Sequence, residues 1–385
     1  MKLIKNVRLV LKDKIVRGEI LFSEKIEKII YRQKEADLAG INDNLPNIEI
    51  IDGKGNYLCP GFIDIHIHGA AGFDTMDASS EALKTIKKSL IKSGVTSFLA
   101  TTMSMPISDI EKTLSVIRNE MIEDSQGARI IGSHLEGPFL NKEYKGCHLA
   151  KDIILPNTNL IEKYQDIIKL LTIAPEIEGA EAFIKYLREK DIIVSAGHTA
   201  ASYEEVMEAR KWGLSHTTHL FNAMGKLHHR KPSLLGAALT TDMTCELIAD
   251  FIHLHPATIK IVLQAKELGQ LILVTDQMKA GSLGNGEYDL GGQKVIVKDG
   301  AASLVDGQLA GSVLRLDQAI RNIKKISDLP LEKIINMVTY NPARLLGMED
   351  QLGCLKEGNR ADFVFLNQDL EVIDVFKDGK LEDNN

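Results

Sequence analysis

The sequence predicts an α/β fold, a (β/α)8 TIM-type barrel with a small β-sandwich domain formed by both termini. Three observations lead there. Eight apolar, strand-like runs alternate with helix-like runs through the middle of the chain. Short apolar runs broken by charges occupy both ends. Five of the eight central runs finish on a residue type that can ligate a metal.

Taken in order, residues 1–56 carry Leu9-Val10-Leu11, Ile15-Val16, Ile20-Leu21-Phe22 and Ile29-Ile30 between charges, a pattern of short antiparallel strands. The segment 353–385 repeats that pattern in its runs 361–366 and 373–376. Neither end is long enough to bury a core alone, so the two are expected to pair. Residues 57–352 then form the barrel. Its strands are expected at 62–68, 96–102, 129–135, 170–174, 192–198, 214–220, 245–252 and 271–276. Between them, residues 81–93 place Leu83, Ile86 and Leu90 on one helical face, with Gly94 as a stop. Ser108 with Glu111, Asn159 with Glu162 and Ser202 with Glu205 read as capping boxes. Further helices are expected near 255–268 and 314–326. Eight strand-then-helix units favour a closed parallel barrel over an open sheet. The glycine-rich segment 281–311 reads as a hairpin inserted into the eighth unit.

Composition narrows the function. The 385 residues are 44% hydrophobic and 26% charged, with a formal net charge of −7. That balance suits a soluble globular protein and argues against a nucleic-acid partner. No run of about 18 apolar residues suggests a membrane span. The N-terminus is broken by lysines and lacks a small-residue cleavage site, so it reads as strands rather than a signal peptide. Cys59, Cys147, Cys245 and Cys354 stand alone, without a C-x-x-C pair. This favours neither a disulfide framework nor a structural zinc site, and it fits a reducing cytoplasm.

Barrel enzymes carry their chemistry at the C-terminal ends of the strands. Here the first run ends in His66-Ile67-His68, the third in His134-Leu135-Glu136, the fifth in His198, the sixth in His219 and the eighth in Asp276. Side chains two apart on a strand share a face, so His66 and His68 can point at one metal. Glu136, His198 and His219 add donors from other strands. This nitrogen and oxygen set suits zinc, iron, manganese or cobalt. Asp276 can take a proton from the attacking water and hand it to a leaving amine. One such histidine alone would ordinarily be a packing or solvent residue, but five converging strand ends are hard to explain by packing. His228, His229 and His255 read as solvated loop or helix-start residues and His216 as a strand-packing residue. His134 shares the face of Glu136 and reads as either a support for the metal ligands or a buried structural group. The run 226–231 is a basic island whose default reading is a solvated loop.

These residues resemble the amidohydrolase superfamily, which carries H-x-H on strand one and an Asp on strand eight. Within it the chain is similar to the family of N-acetylglucosamine-6-phosphate deacetylases. The similarity rests on His134-Leu135-Glu136-Gly137-Pro138-Phe139, Lys145-Gly146-Cys147-His148, Ala196-Gly197-His198-Thr199, His219-Leu220-Phe221-Asn222-Ala223-Met224, Leu309-Ala310-Gly311-Ser312 and Asn341-Pro342-Ala343-Arg344, nearly the whole length of the chain. The resemblance implies a divalent metal ion, zinc or iron, one or two per subunit. Glu136, His198 and His219 would hold the principal ion, and His66 and His68 would complete a second position. It implies Asp276 as general base and acid and His148 against the sugar and its acetamide carbonyl. The phosphate would meet the backbone N–H groups of Asn222 and Ala223, with Arg230 and His253, and Arg230 would be supplied by the neighbouring subunit of a homodimer. Cys147, Leu309, Ala310 and Gly311 would line the sugar pocket. The implied reaction is hydrolysis of the acetamide of N-acetylglucosamine 6-phosphate. The alternatives are a related substrate such as N-acetylgalactosamine 6-phosphate and another amidohydrolase reaction. Cyclic amidases commonly use a lysine on strand four, whereas here that run ends in Ala174-Pro175-Glu176. A catalytically dead sugar-phosphate sensor would not need the full ligand set with Asp276. Phe251, Gln277 and Cys147 depart from the family pattern, and the first two are expected to reshape the pocket.

Overall fold

The computed structural model describes residues 1–31, 48–123 and 126–383. Eight strands form the central sheet: Phe62–Ile67, Val95–Thr102, Arg129–Glu136, Ile168–Ile173, Ile193–Ala196, Leu214–Thr217, Thr244–Ile248 and Leu271–Val274. They pair in sequence order, each parallel to the next. The seam between strands eight and one is sealed just beyond their ends. The Asp276 N–H donates to the His66 carbonyl (2.8 Å), and the His68 N–H donates to the Gln277 carbonyl (2.9 Å). Strands one and two are buried at every residue, as expected when helices cover one face and the barrel interior the other.

Each strand is followed by a helix: Ser80–Ile91, Ile107–Glu123, Asn159–Tyr164, Ala180–Glu189, Tyr203–Trp212, Ser233–Thr240, Pro256–Ala265 and Leu316–Ile326. The Ser202–Glu205 capping box forms reciprocally: the Glu205 N–H donates to Ser202 Oγ (3.2 Å) and the Ser202 N–H to Glu205 Oε2 (2.8 Å). The other two expected boxes do not form. Ser108 already lies inside its helix, whose first turn closes on the Pro106 carbonyl. Asn159 is the first helical residue, and its N–H is taken instead by the Asn157 side chain (2.8 Å).

Several strands end earlier than their apolar runs. The fifth stops at Ala196 rather than 198, the sixth at Thr217 rather than 220, the seventh at Ile248 rather than 252 and the eighth at Val274 rather than 276. The cause is a turn in the backbone. His198, His219, Phe251 and Asp276 have φ of +50°, +29°, +69° and +49°, which is left-handed territory that L-residues enter at a cost.

The two termini join in one eight-stranded sheet. Phe363–Leu366 runs antiparallel to Tyr57–Pro60, which lies parallel to Lys2–Val10. The strand Tyr57–Pro60 thus carries the terminal sheet four residues past position 56. The sheet folds over so that the Phe22 ring meets Phe363 edge-on at 5.1 Å and Phe376 at 5.9 Å. The run Phe363-Val364-Phe365-Leu366 is apolar on both faces for a reason. Phe363 and Phe365 enter the core of the terminal sheet, while Val364 and Leu366 enter the barrel core. Ion pairs add to the join. Arg129, at the start of barrel strand three, meets Asp362 at 2.9 Å and Asp378 at 2.5 Å.

The expected inserted hairpin is a three-stranded antiparallel sheet, Gly286–Leu290, Gln293–Lys298 and Ala301–Leu304. Two tight turns make it. Gly291 and Gly292 have φ of +58° and +78°, and Asp299 and Gly300 have +51° and +83°, the paired positive values of a two-residue hairpin turn.

Phe363 is fully buried at the contact between the two halves of the terminal sheet. Phe363→Ala is expected to destabilise the protein by about 3–5 kcal/mol, read as a fall in the urea midpoint by circular dichroism.

Candidate metal centre and active site

The shortened strands deliver their terminal side chains to one buried point at the barrel mouth, with Glu136 at its centre. Its carboxylate lies 3.4 Å from His66 Nε2, 3.3 Å from His68 Nε2, 3.2 Å from His198 Nε2, 3.1 Å from His219 Nε2 and 3.4 Å from His148 Nε2. Asp276 Oδ1 stands 3.3 Å from His68 Nε2 and 3.5 Å from His66 Nε2. His66, His68, Glu136, His148, His198, His219 and Asp276 are all buried.

Hydrogen bonds set which nitrogen faces the centre. His198 Nδ1 donates to the Tyr144 carbonyl (3.0 Å), leaving its Nε2 lone pair toward Glu136 and His219. His66 Nδ1 donates to Glu246 Oε2 (2.8 Å), leaving Nε2 inward. His148 is the opposite case. Its Nδ1 accepts the Ser104 N–H (3.1 Å), so its Nε2 carries the proton. His148 lies close to Glu136 and His198 in the manner of a ligand, but its tautomer makes it a hydrogen-bond donor.

The electrostatics fit a cation. Burial works against charging His66, yet the carboxylates of Glu246, Glu136 and Asp276 hold it well above the usual imidazole range. Burial likewise opposes charge on His68, and Asp276 and Glu136 raise it to about 9. Burial would lift Glu136, but His66 and the neighbouring imidazoles hold it well below the usual carboxylate range. Burial lowers His198 to about 4. The carboxylates therefore draw positive charge into a closed space. His66 Nε2 is buried without a hydrogen-bond partner between two carboxylates. Imidazole nitrogens and carboxylate oxygens converging in this way suit a divalent ion. Three groupings among the described residues are close enough to bind one: His66, His68 and Asp276; His66, His134 and Glu246; and Glu136, His148 and His198.

A cavity of about 270 Å³ opens above this point. His68, Glu136, Cys147, His148, His198, His219, Asn222, Ala223, His253, Asp276, Leu309 and Gly311 line it. The Asn222 N–H is already engaged by the His219 carbonyl (2.9 Å) in the turn after strand six. His253 Nδ1 meets Asp250 at 2.6 Å. Burial opposes its charging, and Asp250 holds it above the ordinary imidazole range. Two expected residues are absent from the wall. Ala310 is buried against the inserted sheet beside Met103 and Met278, because alternate residues of an extended segment point to opposite sides. Arg230 lies on the exposed basic loop, its guanidinium 2.7 Å from His229 Nε2. A larger groove of about 750 Å³ between helices Ala180–Glu189 and Tyr203–Trp212 contains none of these groups.

Of the three departures, Phe251 and Gln277 fall outside the wall and Cys147 lies in it. The Gln277 side chain turns away and donates to the Leu314 carbonyl (2.8 Å), and Phe251 packs against the barrel core. Neither reshapes the cavity. Burial raises the Cys147 thiol, with Glu136 and Asp276 adding to the effect, so it is held as the unreactive thiol. His228 and His229 are exposed, and His255 caps helix Pro256–Ala265 by accepting the Ala257 N–H (3.1 Å). His134 is buried and neutral, lowered to about 3 by burial and then by His66, with Nε2 on Thr172 Oγ1 at 2.7 Å. His216 does more than pack: its Nε2 meets Glu246 Oε1 at 3.2 Å. Glu246 and Asp250 were missed in the sequence because both lie on the strand-seven run away from any motif. Glu176, at the end of strand four, accepts from Asn141, Thr199 and Ala200 and ties loops together.

A parallel barrel whose strand ends converge an H-x-H pair, a glutamate, two further histidines and a terminal aspartate is the architecture of a metal-dependent hydrolase. The amidohydrolase family pattern matches residues 57–381, and the chain belongs to that family. It is 39% identical over 355 residues to N-acetylglucosamine-6-phosphate deacetylase of Lysinibacillus sphaericus, covering 90% of this chain and 92% of the relative. It is 35% identical to N-acetylgalactosamine-6-phosphate deacetylase of Escherichia coli O157:H7, covering 87% and 90%. Among solved structures, it is similar to N-acetylglucosamine-6-phosphate deacetylase of Thermotoga maritima, with a TM-score of 0.89, 36% identity and coverage of 98% and 99%. No helix among the described residues is long and apolar enough to cross a membrane.

The raised His68 sets a pH dependence. Its imidazole is protonated at pH 7 without metal, and a metal needs it neutral. Metal uptake at pH 7 is expected to release protons, and apparent affinity to rise as pH increases from 6 toward 9. Titration calorimetry in buffers of different ionisation enthalpy reads both.

Proposed function

We propose that this chain hydrolyses the acetamide of N-acetylglucosamine 6-phosphate to glucosamine 6-phosphate and acetate. The observation that carries the reading is Asp276 beside a donor set of five residues, beneath a cavity lined by His148 and His253. A zinc or iron ion, one or two per subunit, would be held by Glu136, His198 and His219, with His66 and His68 at the second position. When bound, it supplies Lewis acidity that polarises the acetamide carbonyl and the attacking water.

The chain's own residues do the rest. Burial opposes ionisation of Asp276, but His66 and His68 hold its carboxyl below the usual range, so it is ready to accept a proton at neutral pH. Asp276 takes the proton from water as the oxygen adds to the acetamide carbon. His148 Nε2–H donates to the developing oxyanion. Asp276 then gives the proton to the sugar nitrogen, the C–N bond breaks, and acetate and the free amine leave. His253, which Asp250 raises above the ordinary imidazole range against burial, offers a bond to the phosphate, alongside Asn222 and Ala223. Cys147, Leu309 and Gly311 bound the sugar, and Ala310 sets the course of that segment. A homodimer would bring Arg230 from its exposed loop to the neighbouring subunit's phosphate. Four unpaired cysteines fit a reducing cytoplasm. Residues 57–352 would carry the catalysis and the two ends the accessory sheet.

Acetate release from metal-loaded protein is the test, with N-acetylglucosamine 6-phosphate, its unphosphorylated form and N-acetylgalactosamine 6-phosphate in parallel. Fast release from the first is expected. No release from it by a metal-loaded protein would overturn the proposal, and faster release from the galactosamine epimer would reassign the substrate. Asp276→Asn is expected to keep the fold and lower kcat about 10²–10⁴-fold. Arg230→Ala is expected to raise KM for the phosphorylated sugar alone, narrowing its advantage over the unphosphorylated one.

A further inference from the structure

Below the metal ligands the barrel interior is polar, and one side chain there touches both halves of the ligand set. Glu246 lies in the middle of strand seven and is fully buried. Its Oε2 accepts from His66 Nδ1 (2.8 Å) and from the His219 backbone N–H (2.9 Å). Its Oε1 meets His216 Nε2 (3.2 Å), whose Nδ1 lies 2.6 Å from Thr244 Oγ1. Its backbone carbonyl accepts the Leu220 N–H (2.9 Å). One residue therefore holds the ring of a strand-one ligand and the turn in which a strand-six ligand leaves its strand.

We infer that Glu246 is the positioning residue of the metal centre: it fixes the His66 tautomer and pins the turn that aims His219. The inference rests on reading the site as a metal centre. A neutral imidazole has one N–H, and a carboxylate at Nδ1 takes it, so Nε2 is left as a lone pair facing Glu136 and Asp276. The His219 backbone is in a left-handed conformation at φ +29°, which persists only where neighbours hold it. The bond from its N–H to Glu246 does so. The His216 bond in turn keeps the Glu246 carboxylate from rotating. Removing Glu246 frees a ring and a turn together.

The test compares metal binding rather than turnover. Apo protein is titrated with Co²⁺, reading both the dissociation constant and the visible d–d spectrum, for wild type, Glu246→Gln and Glu246→Ala. Thr172→Val serves as the comparison. Thr172 is a buried hydroxyl in the same barrel interior, bonded to His134 and Thr218 and not to a ligand. Glu246→Gln retains size but loses the carboxylate charge and one of its two acceptor oxygens, so it keeps the test decisive if Glu246→Ala does not fold. Co²⁺ affinity is expected to fall about 10–100-fold in Glu246→Gln, with an altered d–d spectrum, and to stay near wild type in Thr172→Val. Wild-type affinity and spectrum in Glu246→Gln would overturn the inference. An equal loss in Thr172→Val would overturn it as well, since any damage to the interior would then suffice. Absence of Co²⁺ binding by the wild-type protein would remove the metal reading itself, a different result from the other two.

Discussion

A single buried carboxylate meeting five imidazoles is the constraint around which the rest of this structure is arranged. Glu136 touches His66, His68, His148, His198 and His219 within 3.4 Å. Such a group cannot be left unbalanced in a low-dielectric interior. Three of the imidazoles have their tautomer set from behind by another group: Tyr144 for His198, Ser104 for His148, Glu246 for His66. The barrel supplies this because eight strand ends meet around one axis, and no two neighbouring ligands need to come from the same turn of chain.

That arrangement has a local cost in backbone geometry. His198, His219 and Asp276 leave their strands through positive φ, a strain of order 1–3 kcal/mol at each. At Asp276 the same peptide also closes the seam. The Asp276 N–H bonds to His66 and the Ser312 N–H to the Asp276 carbonyl. Below them, the hydroxyls of Thr172, Ser195 and Thr218 link to one another and to His134. The interior is thus partly a hydrogen-bonded lattice rather than the branched aliphatic packing common in such barrels.

Much of this was legible in the sequence, and the limits are instructive. The strand-and-helix alternation depends on periodicities of 2 and 3.6, which side-chain patterns report directly. The convergence of candidate donors was legible because metal-binding residue types recur at strand ends. The exact strand ends were not, since a change of φ at His198 or Asp276 leaves no trace in side-chain polarity. Glu246 was hidden for the converse reason: an acidic residue inside an apolar run carries no motif, and only its neighbours in space explain it. Ser104 acts through its backbone N–H, which no residue type announces. Arg230 and Ala310 came from family resemblance, and this chain alone places neither in the cavity wall. The Asp299-Gly300 pair was a second hairpin signal beside Gly291-Gly292, which is why the insertion has three strands.

The inserted sheet stands apart from the barrel's own economy. It reaches the cavity through Leu290 and, just beyond its last strand, through Gln308, Leu309 and Gly311, yet its core is a separate cluster of Leu290, Val295, Val297, Ala302 and Leu304. None of its described residues is hydrogen-bonded or ion-paired to Glu136 or to Tyr144, Ser104 or Glu246. One wall of the cavity and the charged cluster beneath it therefore sit on different pieces of chain. Drift in the insertion can redraw one wall of the ligand chamber while the charged nucleus beneath stays unchanged, so descendants of one ancestral hydrolase can diverge in appetite without relearning how to cut.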